Sequence, residues 1–214
     1  MSTNSLITRF GVLRHVKTEW NQEKRIQGQS NSPLTPEGKQ QAREWGMLLK
    51  TFSWNRILVS DIGRAFETAV LVNGYLQVPI IKDSRLQEQD WGEWTGKTLS
   101  MIKKDLPGFL EEKERAGWGF RPPGGEDRHT VWERSRKALK EAAEKWPGDQ
   151  ILVITHEGVI KCLIYGLMGR QFMPTEPSIL NSWHLHRIRY DNQRFQVEKI
   201  NALAISGKSK RVRI

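Results

Sequence analysis

Three short runs of nearly unbroken apolar sequence, FGVL at 10–13, RILVS at 56–60 and ILVIT at 151–155, constrain this chain more than any other feature. A strand covered on one face alternates apolar and polar residues, whereas a run apolar at nearly every position belongs to a strand covered on both faces, as in a parallel sheet between helices. The intervening segments supply those helices. Thr35 is placed to cap a helix with Pro36 at its first position, along which Ala42, Trp45, Leu49 and Phe52 recur at helical spacing. Ala65, Ala69, Val72 and Leu76 mark a second helix, and Trp132, Ser135, Leu139, Ala142 and Trp146 a third, closed by Pro147-Gly148. A fourth is expected from near Gly158 to Met168, and WHLHRIRY and RFQVEKI, separated by DNQ, predict a terminal hairpin. The expected fold class is α/β: a three-layer α/β/α sandwich with a largely parallel central sheet.

Residues 83–130 depart from this rhythm. Glycines and prolines break them into short pieces, and we read them as a small cap-like insertion covering a site. The expected organisation is one domain over 1–206 with that insertion, followed by a basic tail, 207–214, with too little apolar sequence to order itself. Nine tryptophans and 37 % hydrophobic residues fit a folded globule. No apolar run approaches the roughly 20 residues that a membrane helix needs, and the first ten residues lack the pattern of a secretory leader. The single cysteine, Cys162, excludes an internal disulfide and a multi-cysteine metal site and fits a reducing cytoplasm. A net charge of +10 points to acidic partners, whether phosphorylated metabolites, nucleic acid or anionic membrane. The basic tail alone does not support a nucleic-acid arm, so neither nucleic acid nor membrane is the expected partner.

The residues that follow the three strands narrow the choice. Arg14 and His15 follow the first, Arg64 lies in the first turn of the helix after the second, and His156 stands at the strand-to-helix turn after the third. Open α/β sheets bind ligands outside the carboxyl ends of their strands. If these strands are neighbours, two Arg and two His converge there, an arrangement that is costly without an anion because like charges oppose one another. A phosphate removes the conflict: guanidinium groups match its oxygens, and the helix starts after Ser60 and His156 add amide donors. A neutral imidazole among cations is also a nucleophile, so the pocket could transfer a phosphoryl group as well as hold it. Glu88 is one candidate acid for the leaving oxygen, although composition and spacing do not separate it from Asp90 and Glu93. Trp91, Trp94, Trp118 and Phe120 are candidates for a stacking wall around the leaving group, or equally for packing residues. A metal hydrolase using His15, His156 and Glu88 with His184 and His186 is a rival reading, but the last two fit surface positions better. No G-x-S-x-G supports a serine hydrolase.

These segments resemble, in order, the signature of the histidine phosphatase superfamily in its phosphoglycerate mutase-like branch. The matching pieces are LRHVKTEWN, RIQGQSNSPLT, SDIGRAFETA, LQEQDWGEWTG, PPGGED and VITHEGVI. The resemblance implies a metabolite phosphatase without metal or organic cofactor, acting on a small phosphorylated substrate; the expected assembly is a monomer or homodimer. By the same matching, His15 is the phosphorylated nucleophile, and Arg14, Arg64 and His156 grip the phosphate. Asn21, Gln27 and Gly28 line the phosphate pocket, and Glu88 is the proton donor. The chain is closest in style to α-ribazole phosphatases and broad-specificity phosphatases. It carries EQDW where phosphoglycerate mutases have ERHY, which argues against a mutase. Val16 and Lys17 stand where the pattern has Gly and Glu, and Glu157 follows His156. A β-branched residue tolerates neither a positive φ nor close backbone approach, so either Val16 has ordinary backbone angles or the loop has shifted. Retained catalysis is expected, with phosphoglycerate mutase-type phosphoryl transfer or a non-catalytic phosphate-binding protein as the alternatives.

Overall fold

A computed structural model describes residues 6–204; the basic tail expected at 207–214 lies outside the described residues. In chain order the elements are β1 (Thr8–Arg14), α1 (Glu19–Gln22), α2 (Pro36–Leu49), β2 (Arg56–Val59), α3 (Gly63–Leu76), β3 (Ile80–Lys82), α4 (Leu99–Asp105), α5 (Phe109–Glu114), α6 (Arg128–Lys145), β4 (Gln150–Thr155), α7 (Glu157–Leu167), β5 (His184–Asp191) and β6 (Arg194–Ala204). The six strands form one mixed sheet in the order β3-β2-β4-β1-β5-β6. β2 pairs parallel with β3 and β4, β4 pairs parallel with β1, and β5 is antiparallel to β1 and β6.

Alternate residues of the central strands feed two separate cores, as the side-chain period of two requires. Phe10, Val12, Leu58, Ile151 and Val153 pack with α6 and α7 on one face. Leu13, Ile57, Val59, Leu152 and Ile154 pack with α2 and α3 on the other. Both faces are therefore covered, and the strands read as continuous apolar runs for that reason.

Thr35 caps α2 through the Gly38 amide, with Pro36 at the first position. The helix stops at Leu49, so Phe52, expected on it, lies in the following turn and packs on the same core from there. The terminal hairpin turns on Asn192 and Gln193, both at positive φ, which is the primed two-residue turn that suits the twist of paired strands. The segment 83–130 builds its own small core from Trp94, Ile102, Leu110 and Phe120. The proposed stacking wall is thereby corrected: Trp94 and Phe120 are buried in that core with Trp91 against them, and Trp118 packs on Trp132 and Phe172. No helix among the described residues is long and apolar enough to cross a membrane.

Candidate active site

The sheet order β2-β4-β1 makes the three strand ends neighbours, and the basic residues meet there. His15 and His156 are buried, with ring centroids 5.3 Å apart. The His15 Nδ1–H donates to its neighbour's carbonyl, Val16 O, at 2.7 Å, because a carbonyl only accepts. In the neutral ring this leaves the lone pair on Nε2, which accepts from Arg64 Nε at 3.2 Å. Arg64, almost wholly buried, is held by two carbonyls: Nη1 donates to Ser30 O at 2.6 Å and Nη2 to Gly28 O at 2.7 Å. Gly28 has φ +50, which turns its carbonyl to the guanidinium, and a Cβ there would stand 3.2 Å from the Trp91 amide nitrogen. The turn therefore requires glycine.

His156 Nε2 shares a 2.9 Å hydrogen bond with Ser60 Oγ, while its Nδ1 is buried without a partner in the protein. Glu88 reaches the start of α7, where Oε2 accepts from the Gly158 amide at 3.3 Å; Oε1 accepts from the Gln89 amide at 2.9 Å. A Cβ on Gly158 would fall 2.4 Å from Glu88 Oε1, so glycine makes room for the carboxylate. Burial, then Arg14 and Arg64, push the His15 imidazole well below the usual histidine range; burial, then Arg64, His15 and Arg14, do the same to His156. Burial also lowers the Arg64 guanidinium to about 10, against which the Glu88 carboxylate acts to keep it charged.

Arg14, at the end of β1, does not present a free fork. Its Nη1 is paired with a Glu157 carboxylate oxygen, and its Nε is buried without a partner. Asn21 is tied to a local role: it closes a capping box at the start of α1, its Oδ1 accepting from the Thr18 amide and hydroxyl. Gln27 is buried with Oε1 unpartnered. Of the expected site residues, the structure thus brings together Arg14, His15, Gly28, Arg64, Glu88 and His156, and the contacts of Asn21 are local. The helix-start amides expected to face a phosphate are partly taken, since Asn31 Oδ1 accepts from the Arg64 amide at 2.8 Å.

Val16 is fully buried in the core facing α2 and α3 and does not have a positive φ, so it escapes the left-handed conformation that would have called for glycine. Its amide donates to Thr68 Oγ1 at 3.3 Å. His186, expected at the surface, is instead buried and accepts from the Asn201 amide at 3.2 Å. Among the described residues, no three His, Cys, Asp or Glu side chains form a metal-binding group. Sequence reasoning passed over Ser60 as a partner for His156, and it passed over Arg134. The Arg134 guanidinium donates to both Glu126 oxygens and to the carbonyls of Arg85 and Glu88, fixing the segment that carries Glu88. Ser60 lies 96 residues from His156, and Arg134 lies 49 and 46 residues from the Arg85 and Glu88 carbonyls, so no local motif announces either contact.

The sequence profile of the histidine phosphatase superfamily (branch 1) matches residues 11–203. A relative from Salmonella choleraesuis (strain SC-B67), a probable phosphoglycerate mutase GpmB, is 32 % identical over 181 residues, covering 85 % of this chain and 80 % of its own. YhfR of Bacillus stearothermophilus superposes with TM-score 0.84 at 30 % identity, over 92 % of this chain and 98 % of that one. A mycobacterial glucosyl-3-phosphoglycerate phosphatase superposes with TM-score 0.79 at 28 % identity, over 91 % and 99 %.

Proposed function

Because the chain belongs to branch 1 of the histidine phosphatase superfamily, we propose that it is a phosphomonoesterase that hydrolyses a small phosphorylated metabolite through a phosphohistidine on His15. The observation that carries this reading is the Nε2 lone pair of a buried, neutral His15, set by the Val16 carbonyl on one side of the ring and lying beside Arg64 on the other. Nε2 attacks phosphorus and forms a P–N bond as the P–O bond to the leaving group breaks. With a substrate phosphate dianion beside it, the Glu88 carboxyl takes up a proton and gives it to the departing oxygen. Water then attacks phosphorus, Glu88 takes a proton from it, and cleavage of the P–N bond returns the lone pair to His15 and releases inorganic phosphate. With the Ser60 hydroxyl donating to His156 Nε2, the proton of the His156 ring sits on the unpartnered Nδ1, ready for a phosphate oxygen.

Glucosyl-3-phosphoglycerate phosphatase, as a similar structure, supports hydrolysis. The likeness to a probable phosphoglycerate mutase favours a second reading, phosphoryl transfer between two positions of one substrate, which appearance of 2-phosphoglycerate from 3-phosphoglycerate would establish. The buried, free Cys162 supports action in a reducing compartment such as the cytoplasm. α-Ribazole phosphate belongs among the first metabolites to assay.

The test is p-nitrophenyl phosphate hydrolysis in the presence of a chelator, with acid-labile phosphoprotein trapped by rapid quench, for the wild type and His15→Ala. We expect turnover and a trapped phosphoenzyme, with kcat reduced by about 10³-fold or more and the phosphoenzyme absent in the variant. Turnover that survives His15→Ala rejects the mechanism. Phosphate binding without turnover in the wild type makes this a binding protein.

A further inference from the structure

Glu88, the acid of the proposed mechanism, stands on a segment without regular structure: Gln87, Glu88, Gln89 and Asp90 belong to neither helix nor strand. Such a backbone is held only as well as its polar groups find partners elsewhere. Arg134, in the second turn of α6, sends Nη1 to the Arg85 carbonyl at 2.6 Å and Nη2 to the Glu88 carbonyl at 3.1 Å. Between them the Leu86 carbonyl accepts from Thr155 Oγ1, one residue before His156, at 2.7 Å. The rest of the guanidinium faces Glu126, with Nε to Oε1 at 2.7 Å and Nη2 to Oε2 at 2.8 Å, and both side chains are mostly buried. Glu126 carries the grip back to the same segment: its amide donates to the Asp90 carbonyl at 3.0 Å, and its carbonyl accepts from Gln89 Nε2 at 2.7 Å. Just beyond, the two backbones touch, since a Cβ on Gly92 would fall 2.2 Å from the Pro123 carbonyl oxygen and one on Gly125 2.5 Å from that of Asp90. Every acceptor of Arg134 thus lies on the Glu88 segment or on the residue bonded to it.

Resting on the phosphatase reading, we propose that Arg134, with Glu126, is a positioning residue for proton transfer: it fixes the Glu88 backbone so that the carboxyl stands at the start of α7, two residues from His156. Arg134 does this without touching the substrate. Its planar fork serves two carboxylate oxygens and two carbonyls together, which a lysine ammonium with three donors on one atom does not. Proton donation is sensitive to placement, since a displacement of about 1 Å can cost roughly 10²-fold. A contact that merely stabilises the fold would lower all substrates alike when lost, whereas a displaced acid penalises poor leaving groups. The Arg134 charge also reaches His156, adding to the cations that lower its imidazole, so charge and placement have to be separated.

The readout is the ratio of kcat/KM for glycerol 3-phosphate to that for p-nitrophenyl phosphate, whose leaving group needs little proton donation. Arg134→Gln, and Arg134→Lys, which keeps the charge, are each expected to lower this ratio about fivefold or more through the kcat of the alkyl substrate, and Glu88→Gln to lower it at least as far. A ratio within about twofold of the wild type in Arg134→Lys overturns the proposal, because charge then suffices without the fork. Beside a lowered ratio in Glu88→Gln, that result rejects the proposal alone; equal losses on both substrates in Glu88→Gln reject the acid role and the proposal with it. The Gly158 amide reports the carboxylate without turnover: as the second residue of α7 it has no partner within the helix, and its acceptor is Glu88 Oε2. In Arg134→Lys its NMR resonance should move more than half of the way to its position in Glu88→Ala, and a resonance that stays near the wild-type position overturns the proposal. If the wild type hydrolyses neither substrate, the phosphatase reading fails, and this resonance decides by the same criterion whether Arg134 places Glu88.

Discussion

A histidine that attacks phosphorus needs a lone pair where the substrate arrives, and for His15 the residue that secures it is the one that departs from the family pattern. Val16 contributes its carbonyl to His15 Nδ1 and its side chain to the core, and both uses are compatible with ordinary backbone angles. A glycine would supply the same carbonyl without filling that core. Buried histidines also couple stability to pH. Burial and then the neighbouring His184 lower the His186 imidazole to about 4, against roughly 6.5 in the unfolded chain. Because the folded value is the lower, the unfolded chain binds more protons between the two, so stability is present above pH 6.5 and is lost as pH falls towards 4. His186 accounts for about 2 kcal/mol of that loss by pH 5. Chemical denaturation at pH 7 and pH 5 should show a smaller pH-dependent loss in His186→Gln by about that amount; an unchanged difference would mean that the ring is already charged in the fold.

At the scale of elements, most of what builds the site is a strand end meeting a helix start, and most of it was legible. The cap at Thr35, the periodic apolar positions of α3 and α6 and the run into α7 all sit where local pattern put them, because caps and helical periodicity are written within a few neighbouring residues. The helices of the insertion, α4 and α5, were not legible; at seven and six residues they are too short to display a period. The start of α7 carries the sharpest element-scale prediction. Gly158→Ala should leave stability nearly unchanged, since alanine favours the helix and the atom it meets is the movable end of Glu88. The carboxylate must nevertheless move, so kcat/KM should fall about tenfold or more for alkyl phosphates and distinctly less for p-nitrophenyl phosphate, whose leaving group needs little proton donation. Equal losses on both substrates would remove Glu88 from the role of acid.

At the scale of the whole molecule, two cores hold the sheet between its helices and a third, smaller one holds the insertion. Trp94 anchors the third, against Phe109 and Phe120. Trp94→Ala should cost about 3–5 kcal/mol locally, and limited proteolysis should then cut within 95–120 while the sheet stays protected. Simultaneous loss of protection throughout would mean that the insertion and the sheet unfold as one unit. The sequence by itself determined the covered parallel strands, the principal helices, the hairpin and the basic residues at three strand ends, because each is encoded by patterning over a few residues. Only the tertiary structure decided that β4 lies between β2 and β1, that Arg64 is clamped by carbonyls 34 and 36 residues away, and that Arg14 meets Glu157 across 143 residues of chain. Those contacts depend on strand order and on which buried charge can find a partner, and both are settled by the packing of the whole chain.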